Sequence, residues 1–267
     1  MADLLAGLSA IVTGGGRGIG EGIALCLARD GAEVAIGDLN LENAEAVAAQ
    51  IRAQGRQAIA VQADVGTRAG AQALVAAALA AFGKIDILVN NAGVVGAPGW
   101  QQRTTPSDED WAEVLRVNLM SRVYCAEAVM EHMKARRFGK IINIASIGGL
   151  QGGVGIPHYC ASKAADINYT QSLALMLGPY NINVNAILPG MLLTEMLHGI
   201  YDQRRRRDPA QAPQSGEEIY AGAVAQIPLR RGQTPEDIGN LAAFLCSERA
   251  RNIHAQAIDV DGGYRMH

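Results

Sequence analysis

Short runs of apolar, often β-branched residues alternate along this chain with longer alanine-rich stretches, in which apolar positions recur every three to four residues. The short runs predict strands and the longer stretches predict helices. Most of the predicted strands are almost entirely apolar, which is typical of strands covered on both faces. The alternation therefore predicts an α/β fold, namely a single-domain Rossmann-type, doubly wound parallel sheet of about seven strands flanked by helices on both faces.

Seven strands and five long helices follow from this pattern. The predicted strands are 9–13, 33–38, 57–62, 85–90, 140–145, 182–187 and 257–260. The predicted helices are 41–54, 69–82, 110–133, 159–177 and 235–246. The stretch 191–233 interrupts the rhythm and follows the end of a strand, where open α/β sheets bind their ligands. We therefore expect residues 1–267 to form one domain, with 191–233 as a lid over the substrate.

Composition and charge narrow the class of protein. Hydrophobic residues make up 49% of the 267 residues and charged residues 18%, which is typical of a globular protein. The net charge of −3 predicts no nucleic-acid partner. No apolar run approaches the ~20 residues of a membrane-spanning helix, so no membrane partner is expected. The four cysteines are far apart and show no metal-ligand spacing, which favours a cytoplasmic protein without a metal.

A glycine-rich turn, TGGGRGIG, joins the first predicted strand to a helix that starts near Gly18. Gly14, Gly18 and Gly20 let the backbone turn sharply, and the N–H groups at the start of the helix favour an anion. Asp38 ends the second predicted strand, 24 positions after Gly14. A turn in this setting predicts a dinucleotide site, with a carboxylate for the ribose hydroxyls.

Asp38 also bears on which dinucleotide binds. Its carboxylate suits the two ribose hydroxyls of NAD and would repel the 2′-phosphate of NADP, so NAD is favoured and NADP is less expected. Arg17 supports the opposite prediction, because its guanidinium could pair with that 2′-phosphate. It could equally contact the pyrophosphate or remain in solvent.

Tyr159 and Lys163 are four positions apart in a predicted helix and therefore lie on one face. A free phenol has a pKa near ~10, and an ammonium one turn away, together with a bound nicotinamide, would bring it closer to neutrality. The pair predicts an acid/base group. The spacing also occurs by chance on solvent-exposed helix faces.

Five motifs together resemble the classical short-chain dehydrogenase/reductase family: TGGGRGIG, NNAG at 90–93, Asn118, Ser146 and YCASK. The resemblance runs from Leu8 to Gly263, and it implies a catalytic set of four residues. Tyr159 would be the acid/base and Ser146 would orient the substrate oxygen. Lys163 would lower the pKa of the tyrosine and hold the nicotinamide ribose, while Asn118 would position a water that links Lys163 to solvent.

The same resemblance implies further cofactor contacts around the glycine turn and along the strand ends. These contacts are Arg17, Ile19, Asp64, Val65, Asn90, Ala92, Gly93, Pro189, Gly190, Leu192 and Thr194. Two of them have alternative interpretations, since Asn90 could simply cap a strand and Asp64 could form an Asx turn. The resemblance also implies a homotetramer that associates through the helices at 110–133 and 159–177 and the C-terminal segment.

The predicted substrate pocket combines apolar surface with hydrogen-bonding groups. Its candidate lining residues are Trp100, Ser146, Gln151, Met191, Met196, His198 and Tyr201, although Trp100 could equally lie in an exposed loop. The mixture favours an NAD-dependent oxidoreductase that interconverts a secondary alcohol and a ketone of sugar, polyol, diol or hydroxy-acid type. The alternatives are a 3-oxoacyl thioester reductase using NADPH and a non-catalytic dinucleotide-binding regulator.

Overall fold

The computed structural model describes residues 4–208, 210 and 215–266. These residues form one seven-stranded sheet in which every pairing is parallel, in the order β3-β2-β1-β4-β5-β6-β7. The strands are β1 (Ser9–Thr13), β2 (Glu33–Asp38), β3 (Ala58–Gln62), β4 (Ile87–Asn90), β5 (Gly139–Ile144), β6 (Ile182–Pro189) and β7 (Ala257–Val260). The predicted fold class is therefore confirmed.

Helices cover both faces of the sheet. They are α1 (Gly18–Arg29), α2 (Leu41–Ala53), α3 (Arg68–Phe82), α4 (Asp108–Val114), α5 (Ser121–Arg136), α6 (Pro157–Leu177), α7 (Glu195–Arg207), α8 (Gly216–Val224) and α9 (Pro235–Cys246). Because successive side chains of a strand point to opposite faces, Ile11 and Val12 of β1 belong to two different core clusters. Val12 packs with residues of α1, α2 and α9, and Ile11 packs with residues of α3, α5 and α6.

The predicted continuous helix at 110–133 is wrong in detail. The helix begins at Asp108, where Ser107 and Asp110 form a capping box, and a π-helical segment at Leu115–Met120 separates α4 from α5. A π-helical turn holds an extra residue, so it interrupts the 3.6-residue periodicity without removing the apolar residues on which the prediction rests. The interruption falls at Asn118, one of the predicted catalytic residues.

Two helices lie within the predicted lid. Gln203 of α7 donates a hydrogen bond to the carbonyl of Gly155 at 2.9 Å, so α7 contacts the loop that precedes α6. A Cβ on Gly199 would lie 2.9 Å from the Trp100 ring, so α7 also contacts the loop after β4. Residues 209 and 211–214 of the predicted lid lie outside the described residues. No helix in the described part of the chain is long and apolar enough to cross a bilayer.

Candidate active site

The glycine turn between β1 and α1 is closely packed. Gly14 and Gly18 have φ values of +61° and +57°, which glycine adopts without strain. A Cβ on Gly14 would lie 2.9 Å from the Cα of Ala92, and a Cβ on Gly20 would lie 2.1 Å from the Gly14 carbonyl oxygen. The turn therefore excludes side chains at both positions.

Helix α1 starts at this turn without a side-chain cap. Arg17 occupies the N-cap position and makes no capping hydrogen bond, whereas Asn40, Thr67 and Thr194 each cap the helix that follows them. The first N–H groups of a helix need acceptors, and an anion can provide them. The start of α1 therefore fits the pyrophosphate of a dinucleotide.

Asn91 holds the glycine turn in place, a role that was not predicted from the sequence. Its side-chain amide donates to the carbonyls of Thr13 and Gly14 at 3.0 and 2.9 Å. The backbone N–H groups of Asn91 and Ala92 both donate to the Thr13 hydroxyl. The second asparagine of the NNAG motif is the sequence feature from which this role could have been predicted. These bonds hold the end of β4 against the glycine turn.

Asp38 lies at the end of β2, next to the glycine turn. Its carboxylate accepts hydrogen bonds from the backbone N–H of Gly16 at 2.9 Å and of Asn40 at 3.0 Å. Arg17 forms an exposed ion pair with Glu195, the first residue of α7. In this structure the guanidinium that could serve a 2′-phosphate is therefore paired with α7.

Both alternative interpretations of the flanking cofactor residues find support in the structure. Asp64 accepts from the Gly66 N–H at 3.0 Å, as in an Asx turn, and its carboxylate pairs with Arg116 at 2.9 Å. Asn90 donates to Asn143 Oδ1 of β5 at 2.9 Å and is buried. Val65 is also buried and packs in the core. Direct contact of these residues with a cofactor stays a prediction.

Four of the predicted cofactor residues lie at the end of β6 or just after it. Pro189 ends that strand, and a Cβ on Gly190 would lie 2.6 Å from the Asp261 side chain, so this segment is tightly held. Thr194 caps α7 and approaches the glycine turn, since its Cγ2 would be 3.9 Å from a Cβ on Gly18. Leu192 packs in the core. The segment after β6 thus reaches the same end of the sheet as the turn.

Asn118 lies in the π-helical segment, where its side chain is saturated by protein groups. Its Oδ1 accepts from the Val94 N–H at 2.8 Å, and its Nδ2 donates to the Val94 carbonyl at 2.9 Å and to Ser162 Oγ at 3.0 Å. The predicted role of Asn118 in positioning a water stays a prediction. Its observed contacts fix the segment after NNAG to α6.

Tyr159 and Ser146 lie on either side of Gly148. A Cβ on Gly148 would be 3.3 Å from Ser146 Oγ and 3.6 Å from Tyr159 Cε1. Burial raises the pKa of the Tyr159 phenol to about 12, although a hydrogen bond with Ser146 acts to lower it. The expected lowering of this pKa by Lys163 together with a bound nicotinamide stays a prediction.

Lys163 is buried one turn further along α6. Its ammonium lies 5.8 Å from the centre of the Tyr159 ring and donates to the Ile144 carbonyl at 2.7 Å. Burial, together with the positive charge of Arg122, lowers the pKa of Lys163 to about 7, although Asp166 acts to raise it. The ammonium and the Tyr159 ring therefore lie on the same face of α6.

The structure also locates the candidate substrate contacts. Trp100 packs against Gly199 of α7, and Gln151 is exposed in the loop before α6. Met191 and Met196 are half-buried around the start of α7. His198 and Tyr201 are the exceptions, because both lie beside Gly216 at the start of α8. The pocket-lining role of these last two residues stays a prediction.

Comparison with known proteins gives consistent full-length matches. The sequence model described as enoyl-(acyl carrier protein) reductase matches residues 14–265. The 3-oxoacyl-(acyl carrier protein) reductase of Chlamydia pneumoniae is 37% identical over 259 residues, covering 97% of both chains. The reductase of the same name from Staphylococcus aureus strain N315 is 35% identical, covering 97% of this chain and 98% of its own.

Solved structures match over a similar length. Levodione reductase superposes with a TM-score of 0.87 at 29% identity, covering 97% of this chain and 98% of that chain. NAD+-bound xylitol dehydrogenase superposes with a TM-score of 0.85 at 31% identity, covering 97% and 99%. The matches extend over the glycine turn, the Tyr159 helix and the lid.

Proposed function

Because the chain belongs to the short-chain dehydrogenase/reductase family, we propose that it interconverts a secondary alcohol and a ketone with NAD(H), using Tyr159 as the acid/base. The observation that carries this proposal is the grouping of Ser146, Tyr159 and Lys163 around the carboxyl ends of β5 and β6. That the chain is an oxidoreductase acting on CH–OH groups follows from the family. The residue roles and the substrate are our proposals.

Each of the three side chains has a distinct task. When bound, the nicotinamide accepts or donates the hydride. Tyr159 takes the hydroxyl proton during oxidation and returns it during reduction, and Ser146 orients the substrate oxygen by a hydrogen bond. Lys163 opposes the effect of burial on Tyr159, because a nearby ammonium stabilises a phenolate more than a phenol.

Asp38 supports NAD over NADP. Its carboxylate is fixed by the N–H groups of Gly16 and Asn40 at the edge of the phosphate turn, where a 2′-phosphate would meet a like charge. Arg17, the one basic residue of the turn, is paired with Glu195. A nucleotide with free ribose hydroxyls fits these residues better than one that carries an additional phosphate.

A 3-oxoacyl thioester is the leading substrate class. The curated relatives that match over nearly the full chain are named for this substrate, which favours it over a sugar, polyol, diol or hydroxy acid. We do not extend the predicted NADPH dependence of such a reductase to this chain, because the Asp38 carboxylate would repel the 2′-phosphate. The combined proposal is NADH-linked 3-oxoacyl thioester reduction and its reverse.

A small polyol or its ketone is the second candidate. The observation that favours it is the NAD+-bound xylitol dehydrogenase, which matches 97% of this chain. A polyol would use the polar side of the crevice, including Ser146 and Gln151. The two candidates differ mainly in the length of the substrate that must pass beneath α7.

One panel of assays tests both candidates. Acetoacetyl coenzyme A is offered with NADH and with NADPH, and xylitol with NAD+ and with NADP+, while the absorbance of the reduced nicotinamide is followed. We expect NADH-dependent reduction of the thioester. Faster turnover of xylitol would favour the second candidate, and a strong preference for the phosphorylated nucleotides would contradict the role of Asp38.

We also propose a homotetramer in the cytoplasm. Helix α6 exposes Leu175 and Met176, whose relative exposures are 81% and 54%. Apolar side chains on a helix face that is otherwise solvent-exposed favour association with another copy. Light scattering of the purified protein measures the number of chains directly, and a monomer would contradict the proposal.

A further inference from the structure

Arg122 of α5 and Asp166 of α6 form an ion pair that is completely buried. Arg122 Nε donates to Asp166 Oδ2 at 3.0 Å, and both side chains have 0% exposure. Removing a guanidinium and a carboxylate from water is costly unless further hydrogen bonds satisfy them. The position of the pair next to the active site calls for an explanation beyond the packing of two helices.

The guanidinium of Arg122 connects the backbone segments that surround the site. It donates to the carbonyl of Ala92 in NNAG at 2.7 Å and to that of Val117 in the π-helical segment at 3.2 Å. It also donates to the Ile144 carbonyl at the end of β5 at 3.2 Å. One side chain thus joins three segments that carry predicted cofactor or catalytic residues.

Lys163 shares two acceptors with Arg122. Its ammonium donates to the same Ile144 carbonyl at 2.7 Å and lies 3.8 Å from the same Asp166 Oδ2. The two cations are therefore held side by side by one carbonyl and one carboxylate oxygen. Movement of either member of the pair would displace the Lys163 ammonium relative to Tyr159.

We propose that Arg122 and Asp166 are positioning residues for Lys163, fixing the place of its ammonium beside Tyr159 and the balance of charge around it. This inference rests on the proposed function in one respect, which is that Lys163 takes part in cofactor binding and catalysis. The charged and titratable groups facing Lys163 are Arg122 from α5 and Tyr159 and Asp166 on α6. The neighbouring segments present Gly93 and the Ile144 carbonyl, which carry no charge.

The two members of the pair act on Lys163 in opposite directions. The cation Arg122 disfavours the ammonium, and the anion Asp166 favours it. In Asp166→Asn the cation remains without its anion, so the midpoint of the Lys163 titration should fall. In Arg122→Met the anion remains without its cation, so the midpoint should rise. Shifts of opposite sign would show that both charges act on the Lys163 ammonium.

The chain suits a direct measurement because it contains only four lysines, Lys84, Lys134, Lys140 and Lys163. The cofactor-free protein is labelled with 13Cε-lysine, and the four signals are followed by NMR as the pH changes. The Lys163→Met variant assigns the signal of interest. We expect shifts of about one pH unit, downward in Asp166→Asn and upward in Arg122→Met.

A matched control tests for general destabilisation. Asp86 is another fully buried carboxylate, which pairs with Arg136 at the opposite end of the sheet. The variant Asp86→Asn should lower the thermal midpoint of unfolding and leave the Lys163 titration unchanged. Unchanged titration in both pair variants, or shifts in the same direction, would overturn the proposal.

A double variant decides the question if the single variants do not fold. Arg122→Met with Asp166→Leu removes both charges of the pair, so that neither member is left without the other. We expect a folded protein whose NADH affinity, read by nicotinamide fluorescence, falls several-fold, and whose kcat falls about tenfold. Wild-type affinity and kcat would show that the pair is structural. The NMR and affinity measurements need no turnover, so failure of the proposed function would leave this test intact.

Discussion

Gly14 and Ala92 are in backbone contact across the two central strands, so close that a Cβ on Gly14 would lie 2.9 Å from the Cα of Ala92. Gly14 follows β1 and Ala92 follows β4, which are neighbours in the sheet. The N–H groups of Gly14 and Gly15 donate to the Gly37 carbonyl at 2.7 and 3.3 Å, so the turn is also held against the end of β2. The glycine turn and the NNAG segment therefore form one rigid unit.

Gly20→Ala should disrupt this unit. The added Cβ would lie 2.1 Å from the Gly14 carbonyl oxygen and 2.5 Å from Asn91 Nδ2. Overpacking of this kind costs about 1 to 3 kcal/mol in free energy of unfolding. We expect the dissociation constant for NADH, measured by fluorescence, to rise about tenfold or more, together with a lower thermal midpoint.

Gly222→Ala is the matched control. A Cβ at this position of α8 meets no atom within 4 Å. Alanine should therefore stabilise the helix by about 0.5 to 1 kcal/mol without changing NADH affinity. Equal effects of the two substitutions would contradict the view that the turn requires glycine at position 20.

Asp38→Asn should weaken discrimination against NADP. The amide retains an oxygen for the Gly16 N–H but removes the charge that opposes a 2′-phosphate. We expect the ratio of kcat/KM for NADP to that for NAD to rise about tenfold, equivalent to about 1.4 kcal/mol. Glu33→Gln, at the other end of β2, should leave the ratio unchanged, and an unchanged ratio in Asp38→Asn would exclude this carboxylate as the selector.

The parallel sheet was predictable because each strand is a short, doubly buried apolar run bounded by turn residues. The predictions for 9–13, 33–38 and 257–260 agree with β1, β2 and β7, and the bounds of the other four strands differ by at most two residues at either end. The glycine turn was predictable for a related reason, since the requirement for a residue without a Cβ is written into the sequence itself.

Other features depend on contacts that no local pattern reveals. The π-helical segment at Leu115–Met120 retains the apolar composition of the helices on both sides. Arg122 and Asp166 are separated by 44 positions, and only the fold shows that they meet beside Lys163. The hydrogen bonds of the Asn118 amide to Val94 and Ser162 are likewise tertiary contacts that no local pattern reveals.

Gln203→Ala should loosen the attachment of α7 to the loop before α6. This side chain is 2% exposed and provides a hydrogen bond from α7 to the Gly155 carbonyl. Without it, we expect KM for the substrate to rise several-fold, because α7 closes less firmly on the loop before α6, while kcat changes less than twofold. Arg206→Ala, at an exposed position of the same helix, provides the control, and equal KM values in both variants would contradict the role of this contact.

Asp110 should make the stability of the protein depend on pH in the acid range. Burial acts to raise its pKa, but hydrogen bonds from Arg103 and from the N–H groups of Ser107 and Ala97 outweigh burial and lower the pKa from 3.8 to about 2. The folded-state value lies below the unfolded one, so the ionised group stabilises the fold by about 2 kcal/mol above pH ~4, and this is lost as the pH falls towards 2.

Denaturant unfolding of the wild type and Asp110→Asn, compared between about pH 2 and pH 5, measures this dependence. We expect the wild type to lose more free energy of unfolding than the variant across that range. Parallel losses in the two proteins would mean that Asp110 has the same pKa in the folded and unfolded states.

The most direct test of the account is the turnover of Tyr159→Phe with acetoacetyl coenzyme A and NADH, measured beside NADH binding by fluorescence. The substitution removes only the phenolic oxygen, so the fold and the phosphate turn remain. We predict that kcat falls by about 100-fold or more while the dissociation constant for NADH stays within about threefold of the wild type. Undiminished turnover with intact NADH binding would contradict the assignment of Tyr159 as the proton carrier.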